Sequence, residues 1–317
     1  MNLARKPRVA IALGDPAGIG PEIALKTALD ESVRAICEPI LFGDPGVLAE
    51  HARACGLERS IAEVAIRPRQ QLASGELAIG KIAAAHGRAA LDSARAAIEA
   101  ALAGEVEAVI AAPQTEAAIK AAGIEFDGYP SFVARCTGVA PEDAFLMLCF
   151  DDVRIVHATL HVSLRRALEL VTRERVERAI RAADAALRRV GVSAPRLAIA
   201  GVNPHASEDG LFGDEEARIV APAIAAARAA GMQAEGPFGA DTMFHKAGYD
   251  AFVVMYHDQG HIAAKLRAFD RTAGMTIGTP VVFSSVAHGS ALDIAGQNKA
   301  NHRAMVEAVR RVVGVRS

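Results

Sequence analysis

Short runs of apolar residues alternate along the chain with stretches in which apolar positions recur at steps of three and four. The runs Arg8–Leu13, Pro39–Phe42, Val106–Ala112, Arg196–Val202 and Ala251–Tyr256, rich in Val, Ile, Leu or Ala, predict buried strands. In the clearest helical stretch Val176, Ile180, Ala183, Leu187 and Val190 fall on one face. Thr172 stands where an N-cap would, and Gly191 ends the helix. Such alternation implies an α/β fold, a largely parallel sheet covered by helices on both faces in three layers, α/β/α. No Pro/Gly/Ser-rich linker or internal repeat interrupts the pattern. Two lobes would therefore require the chain to cross between them more than once.

Composition narrows the class. The 317 residues are long enough for a substantial core, and 51% are apolar. A formal charge of −2 gives no electrostatic case for nucleic acid or an anionic membrane. No apolar run reaches the roughly 18 residues of a membrane helix. Cys37, Cys55, Cys136 and Cys149 are widely spaced and form no CxxC pair, which argues for a reducing cytosol. Met1 to Arg8 is short and basic and leads directly into a strand, so no signal peptide is expected and the expected location is cytoplasmic.

Two segments carry glycines at strand-to-helix turns. Near the C-terminus the apolar run Thr279–Phe283 leads into Ser285-Val-Ala-His-Gly-Ser-Ala-Leu-Asp-Ile-Ala-Gly296, followed by Lys299, Ala300 and Asn301. It reads as a strand ending in a turn that lays backbone donors and a few polar side chains against a planar ligand. At the other end, Gly14-Asp-Pro-Ala-Gly-Ile-Gly-Pro-Glu22 follows a strand and opens a helix, with Pro21 suited to its first turn. Its glycines suit either an anion at the helix N-terminus or simply a tight turn. The spacing is not GxGxxG, and no acidic residue sits at the expected place after a second strand.

Histidines form the third pattern. In Arg154-Ile-Val-His-Ala-Thr-Leu-His161 a period of two puts His157 and His161 on one strand face. His205, in Asn203-Pro-His-Ala-Ser-Glu-Asp-Gly210, follows an apolar strand, and so do His257 and His261. Open α/β sheets bind ligands outside the carboxyl ends of their strands. Three strand-end imidazoles suit Zn²⁺ or a similar divalent ion with a position left for substrate; singly, each is as readily structural.

The C-terminal loop resembles the adenosine-binding loop of the isocitrate and isopropylmalate dehydrogenases, and Gly14–Glu22 resembles the opening of the latter. His161 with Leu164-Arg165, Asn203-Pro-His-Ala-Ser-Glu, Gly239-Ala-Asp-Thr242 and Tyr256-His-Asp-Gln-Gly260 resemble the 4-hydroxythreonine-4-phosphate dehydrogenase family of vitamin B6 synthesis. The likeness is collinear from about residue 8 to residue 305. It implies an isocitrate-dehydrogenase-like fold with two lobes around a central cleft. An NAD-binding lobe is expected from residues 1–124 and 275–317, and a metal, substrate and dimerisation lobe from 125–274. It also implies a homodimer with shared sites, acting on a small molecule. The metal would sit at the interface on His161, His205 and His257, the last from the partner chain, with zinc expected and Mg, Mn or Co as alternatives. Lys265 maps onto a substrate-contacting lysine and is expected to orient a carboxylate or relay a proton; Asp241 maps onto an Asp near the metal, and Asp241 and Asp258 are expected to orient the histidines, or to serve as further ligands. NAD, with NADP as the alternative, would meet Gly14, Asp15, His288, Gly289, Ser290, Asp293 and Asn301.

The departures point to substrate. Gly128-Tyr129-Pro130 replaces a substrate-contacting Gly-His-Thr, and Gly274 and Phe283 stand where the family carries an Asn and an Arg. These positions resemble the terephthalate dihydrodiol dehydrogenase branch, whose substrate is a cyclic diol dicarboxylate, oxidised and decarboxylated to protocatechuate. Tyr129, Pro130, Gly274, Phe283 and Lys265 are thus the expected substrate-binding residues. The expected activity is a metal-dependent oxidation of a secondary alcohol beside a carboxylated carbon, followed by loss of CO₂. The alternatives are a 4-phosphooxy-L-threonine dehydrogenase, an enzyme for another carboxylated alcohol, and a catalytically silent metabolite-binding relative.

Overall fold

The computed structural model describes residues 5–269 and 272–314. They form two compact units. One runs to Thr137 and resumes at Pro280; the other is Gly138–Thr279.

In the first unit the strands lie in the order Ala65–Pro68, Glu38–Gly43, Arg8–Ala12, Ala108–Ala111 and Phe283–Val286, each parallel to its neighbour. Helix Ala84–Leu102 buries an alanine-rich face, and its small side chains let it lie close on the sheet. The C-terminal strand begins at Phe283, four residues later than the apolar run suggests, since Pro280 offers no N–H to a ladder.

The second unit runs Ala273–Ile277, Phe145–Phe150, Val153–His157, Ala251–Val254, Arg196–Ala200 and Gln233–Phe238. Its first two pairings are antiparallel, a departure from the expected parallel sheet. Phe145–Phe150 and Val153–His157 form a hairpin whose two-residue turn takes Asp151 to φ 43°. Helix Arg173–Arg189 is the predicted one. The Thr172 Oγ1 accepts the Arg175 N–H at 3.2 Å, and Val176, Ile180, Ala183 and Leu187 are buried.

The division between units departs from the expected lobes at both borders. Residues 125–137 join the first unit because helix Tyr129–Thr137 packs Tyr129, Phe132 and Val133 into the same apolar cluster as Ile98, Val109 and Phe283. Residues 275–279 join the second because Ala273–Ile277 pairs with Phe145–Phe150. Phe283, expected on a pocket wall, is 0% exposed, with its ring 4.9 Å from that of Tyr129. An arginine there would bury an unpaired charge. Phe283→Ala should cost about 3–5 kcal/mol of folding stability in urea titration; a loss under about 1 kcal/mol would show that the ring is not core.

Candidate active site

The carboxyl end of strand Val153–His157 and the start of helix His257–Ala268 bring four histidines together. His157 is 1% exposed. Its Nδ1 lies 3.4 Å from the Leu146 carbonyl, and its Nε2 lies 3.1 Å from His261 Nδ1. A carbonyl only accepts, so His157 carries its proton on Nδ1 and its Nε2 accepts from His261. The rings of His257 and His261, one helical turn apart, stack at 3.7 Å and 8°. Gly260 lets this helix approach: a Cβ there would stand 2.3 Å from His157 Nε2.

His161 is not on the strand face expected for it. The strand ends at His157, and His161 lies exposed in the loop before helix Leu164–Leu170. Thr159 tethers that loop, its N–H and Oγ1 both donating to the Met255 carbonyl. The His161 and His257 rings are consequently 5.8 Å apart. Asp258 accepts from His257 Nδ1 at 2.7 Å, which leaves Nε2 as the lone-pair nitrogen. Gln259, read in the sequence only as part of its motif, ties this junction to the next strand end: its Oε1 accepts the Met255 N–H and its Nε2 donates to the Gly201 carbonyl.

Burial sets the protonation of His157 and His261. It pulls the pKa of His157 down to about 3, with the neighbouring His261 adding to the effect. His261 falls to about 4 through burial and then the His257, His161 and Lys265 charges. Both rings are neutral at pH 7. His257, His261 and Lys265 share one helix stripe at four-residue steps. Lys265 is half-buried, which lowers its pKa, and its Nζ lies 5.2 Å from the Phe269 ring centre.

His205 sits on an unusual turn. His205, Ala206, Ser207, Glu208 and Asp209, none of them glycine, all have left-handed φ between 42° and 74°. Each such residue costs roughly 1–2 kcal/mol, so the surroundings must enforce the conformation. Glu216 does much of this: its carboxylate accepts the Val202 and Asn203 N–H groups at 2.7 and 2.8 Å and the Asn203 amide at 2.9 Å. Burial would raise the Glu216 pKa, but these bonds outweigh it and lower it. Ser207 Oγ donates to the Gly213 carbonyl across the turn. The result sets His205 Nδ1 3.9 Å from Asp241 Oδ2. No sequence motif announces Glu216, because it acts from a π-helical turn beyond the loop it holds.

Two cavities adjoin here. One of about 430 Å³ is lined by Leu160, His161, Leu164, Ala167, His257 and Asp258; another of about 540 Å³ by Asp241, Phe244, Asp258, Ile262, Leu266 and Arg267. Tyr256 lines both. Tyr129, Pro130, Gly274 and Phe283, expected around the substrate, line neither. Tyr129 is buried, its hydroxyl donating to the Ala112 carbonyl, and Pro130 opens the same helix. Gly274 is buried opposite Leu148 in a central strand pair. Among the described residues no three His, Cys, Asp or Glu side chains are placed to hold a metal ion. One chain instead provides two pairs, His161 with His257 and His205 with Asp241.

In the C-terminal loop His288, Gly289, Asp293 and Asn301 are exposed, while Ser290 is buried. Ser290 Oγ has no hydrogen-bond partner among the described residues, and the space beside Gly289 Cα is open. Asn301 Oδ1 accepts the Arg303 N–H at the start of helix Arg303–Val312. Gly14 and Asp15, expected to meet a cofactor, are buried instead. A Cβ on Gly14 would lie 2.3 Å from the Pro113 carbonyl, and Asp15 Oδ1 accepts the Ala17 N–H.

The low pKa of His157 has a consequence for stability. As pH falls, an unfolded His with pKa near 6.5 binds a proton before the folded one does. The contribution of the neutral ring is therefore complete above about pH 6.5 and is lost progressively towards the folded pKa of about 3. The urea midpoint should fall between pH 7.5 and pH 5, and fall less in His157→Asn. Equal falls in the two proteins would refute the assignment.

A family model described as pyridoxal phosphate biosynthetic protein PdxA matches residues 35–312. The chain is 42% identical over 302 residues to a 1,2-dihydroxy-3,5-cyclohexadiene-1,4-dicarboxylate dehydrogenase of Comamonas sp, covering 95% of this chain and 96% of that protein. It is 40% identical over 321 residues to a protein of Symbiobacterium thermophilum provisionally named D-threonate 4-phosphate dehydrogenase, covering 96% and 95%. The crystal structure of a 4-hydroxythreonine-4-phosphate dehydrogenase from Burkholderia phymatum superposes with a TM-score of 0.85 at 32% identity, over 98% of each chain. With the family model covering residues 35–312 and relatives matched along nearly its whole length, the chain belongs to the PdxA family of dehydrogenases.

Proposed function

We propose that the protein oxidises a secondary alcohol beside a carboxylated carbon with NAD as hydride acceptor, and that its substrate is a carboxylated cis-dihydrodiol of the terephthalate type. The observation that carries this reading is the His161–His257 cavity. Its described lining combines two imidazoles, the Asp258 carboxylate and an apolar wall, with neither Lys nor Arg. A phosphorylated substrate calls for cations or clustered backbone donors, whereas a carbocyclic ring suits Leu160, Leu164 and Ala167. The Comamonas relative, named for a cyclohexadiene dicarboxylate, supports the same choice. A second reading, a phosphorylated hydroxy acid, is favoured by Arg267 on the adjoining cavity and by the name of the Symbiobacterium relative.

The donor set suits a divalent ion on His161, His205 and His257, zinc in the first instance, since Asp258 holds the His257 Nδ1 proton and leaves Nε2 free to bind. Such an ion, when bound, supplies Lewis-acid polarisation of the substrate hydroxyl. The chain's own residues do the rest. Leu160 and Leu164 exclude water from the ring, and the half-buried Lys265 is suited to hold a carboxylate or to pass a proton. Asp241, 3.9 Å from His205 Nδ1, is placed to orient that ring. Oxidation would give a β-keto acid. Its carboxylate leaves as CO₂, and the bonding pair passes into the enol. For NAD, the orphan Ser290 hydroxyl, the open space at Gly289 and the exposed His288, Asp293 and Asn301 suit a dinucleotide.

Two side-chain pairs in one chain imply that a second copy completes the site. Leu164 (59% exposed), Leu266 (83%) and Phe269 (75%) leave apolar surface on and beside the elements that flank the histidines, as a homodimer would require. In that arrangement His205 and His257 of each site come from different subunits. His205→Ala and His257→Ala chains should each be inactive and deficient in metal by elemental analysis. Mixed and allowed to exchange, they should regain part of the activity, because half the sites in a heterodimer keep every ligand. No recovery despite proven exchange would place both histidines on one chain.

The substrate is decided by kcat/KM for a dicarboxylated cis-dihydrodiol against 4-phosphooxythreonine and 4-phosphothreonate. The diol should reach about 10⁴ M⁻¹s⁻¹ or more, an ordinary value for a proper substrate. That value for either phosphate, with a lower one for the diol, would overturn the choice.

A further inference from the structure

We propose that Glu22 and Lys26 are positioning residues for the dinucleotide, a buried ion pair that sets the shape of loop 288–301 by gripping one of its residues from both sides. The inference rests on the reading that this loop binds the cofactor.

The Gly14–Glu22 motif makes no surface of its own. Residues 11–24 are buried throughout, so these residues act on a ligand only through whatever packs on them. What packs on them is the loop. Glu22, fully buried, accepts the Ala300 N–H on Oε1 at 2.9 Å. Lys26, one turn along helix Gly20–Leu29, lies 2.7 Å from the same oxygen and donates to the Ala300 carbonyl at 3.0 Å. Both backbone polar groups of Ala300 are thus held by one ion pair.

Other contacts from the same region hold the rest of the loop's inner side. The Ile19 N–H donates to the Ser290 carbonyl at 2.9 Å, and a Cβ on Gly18 would stand 2.6 Å from Ser290 Cβ. The Cys55 thiol, pushed up by burial and then by the Glu22 carboxylate, takes a hydrogen bond from the Asn298 backbone. A Cβ on Gly80 would come within 3.1 Å of the Leu292 carbonyl. Ser290 and Ala300 are buried anchors, and His288, Asp293 and Asn301 are the exposed groups between and beside them.

A buried ion pair is weak evidence for stability, because desolvation offsets much of the attraction; its best-attested use is to fix register. Here the register is that of Ala300. It decides where Asn301 and Asp293 stand. An apolar pair in its place would leave the helix packed and the Ala300 carbonyl ungripped.

The test compares wild type with the double variant Glu22→Gln/Lys26→Met, which removes both charges together and keeps an acceptor for the Ala300 N–H. Lys26→Arg, which keeps the charge and a donor, serves as the conservative control. NADH and NADPH dissociation constants are read by fluorescence on the full-length protein, and amide exchange of residues 288–301 is followed without cofactor. The double variant should bind the preferred cofactor at least tenfold more weakly and exchange faster in the loop. Its KM for that cofactor should rise, with kcat and metal content within about twofold of wild type. Lys26→Arg should restore most of the affinity. A double variant that binds within twofold of wild type overturns the clamp, as does one that loses cofactor and metal together. Should the double variant fail to fold, Glu22→Gln alone must show the same weakened binding and faster exchange, or the clamp is overturned. A wild-type protein that binds neither dinucleotide overturns the cofactor reading itself, and the clamp's role with it.

Discussion

The contact on which the candidate site depends is between a glycine and a buried imidazole. Gly260 presents its bare Cα to His157 Nε2, where any side chain would collide. That approach seats helix His257–Ala268 on the end of strand Val153–His157, and everything else follows from the seating. His261 comes within hydrogen-bonding range of His157, His257 stacks on His261, and Lys265 continues the stripe. A polar pair inside a core is tolerated only when satisfied, and this one is: His157 donates to a carbonyl and accepts from His261. The cost is that neither ring can be charged there. His157 and His261 are consequently neutral at pH 7 and act as a packed, hydrogen-bonded support beneath His257.

His205 is held by the opposite strategy. There the backbone itself is unfavourable, five left-handed residues in succession, and a buried carboxylate anchors the segment just ahead of them by accepting the Val202 and Asn203 N–H groups. A single Glu216 thus converts local strain into a defined position for one imidazole. The two halves of the site are built on unrelated principles, close packing in one and charge-assisted hydrogen bonding in the other. Gln259 links them through the Gly201 carbonyl.

Much of the architecture was legible because it rests on local rules. The Thr172 cap, the 3.6-residue stripe from Val176 to Leu187 and the continuous apolar strands need only neighbours in sequence. The misreadings share a cause. A period of two continued through Thr159 to His161, yet Thr159 turned to the Met255 carbonyl and ended the strand. Phe283 and Tyr129, expected around the substrate, lie in the apolar core of the first unit with their rings 4.9 Å apart. The antiparallel pairing of Ala273–Ile277 lies at long sequence separation and has no local signature. Glu216 was invisible for the same reason.

Gly14–Glu22 shows how a motif can be right about place and wrong about contact. Its glycines suited either room for an anion or a tight turn. The structure fills that room with protein: the Pro113 carbonyl against Gly14, and Ser290 against Gly18. Close backbone approach is what glycine offers in either case, so the sequence pattern alone could not distinguish a ligand from another segment of the chain. What distinguishes them is Glu22. A carboxylate at a helix N-terminus that was waiting for an anionic ligand would repel it. One that accepts a backbone N–H and pairs with Lys26 has already found its partner in the loop. The acidic residue that ends the motif is thus the argument against an anion site and for a protein–protein contact within the unit.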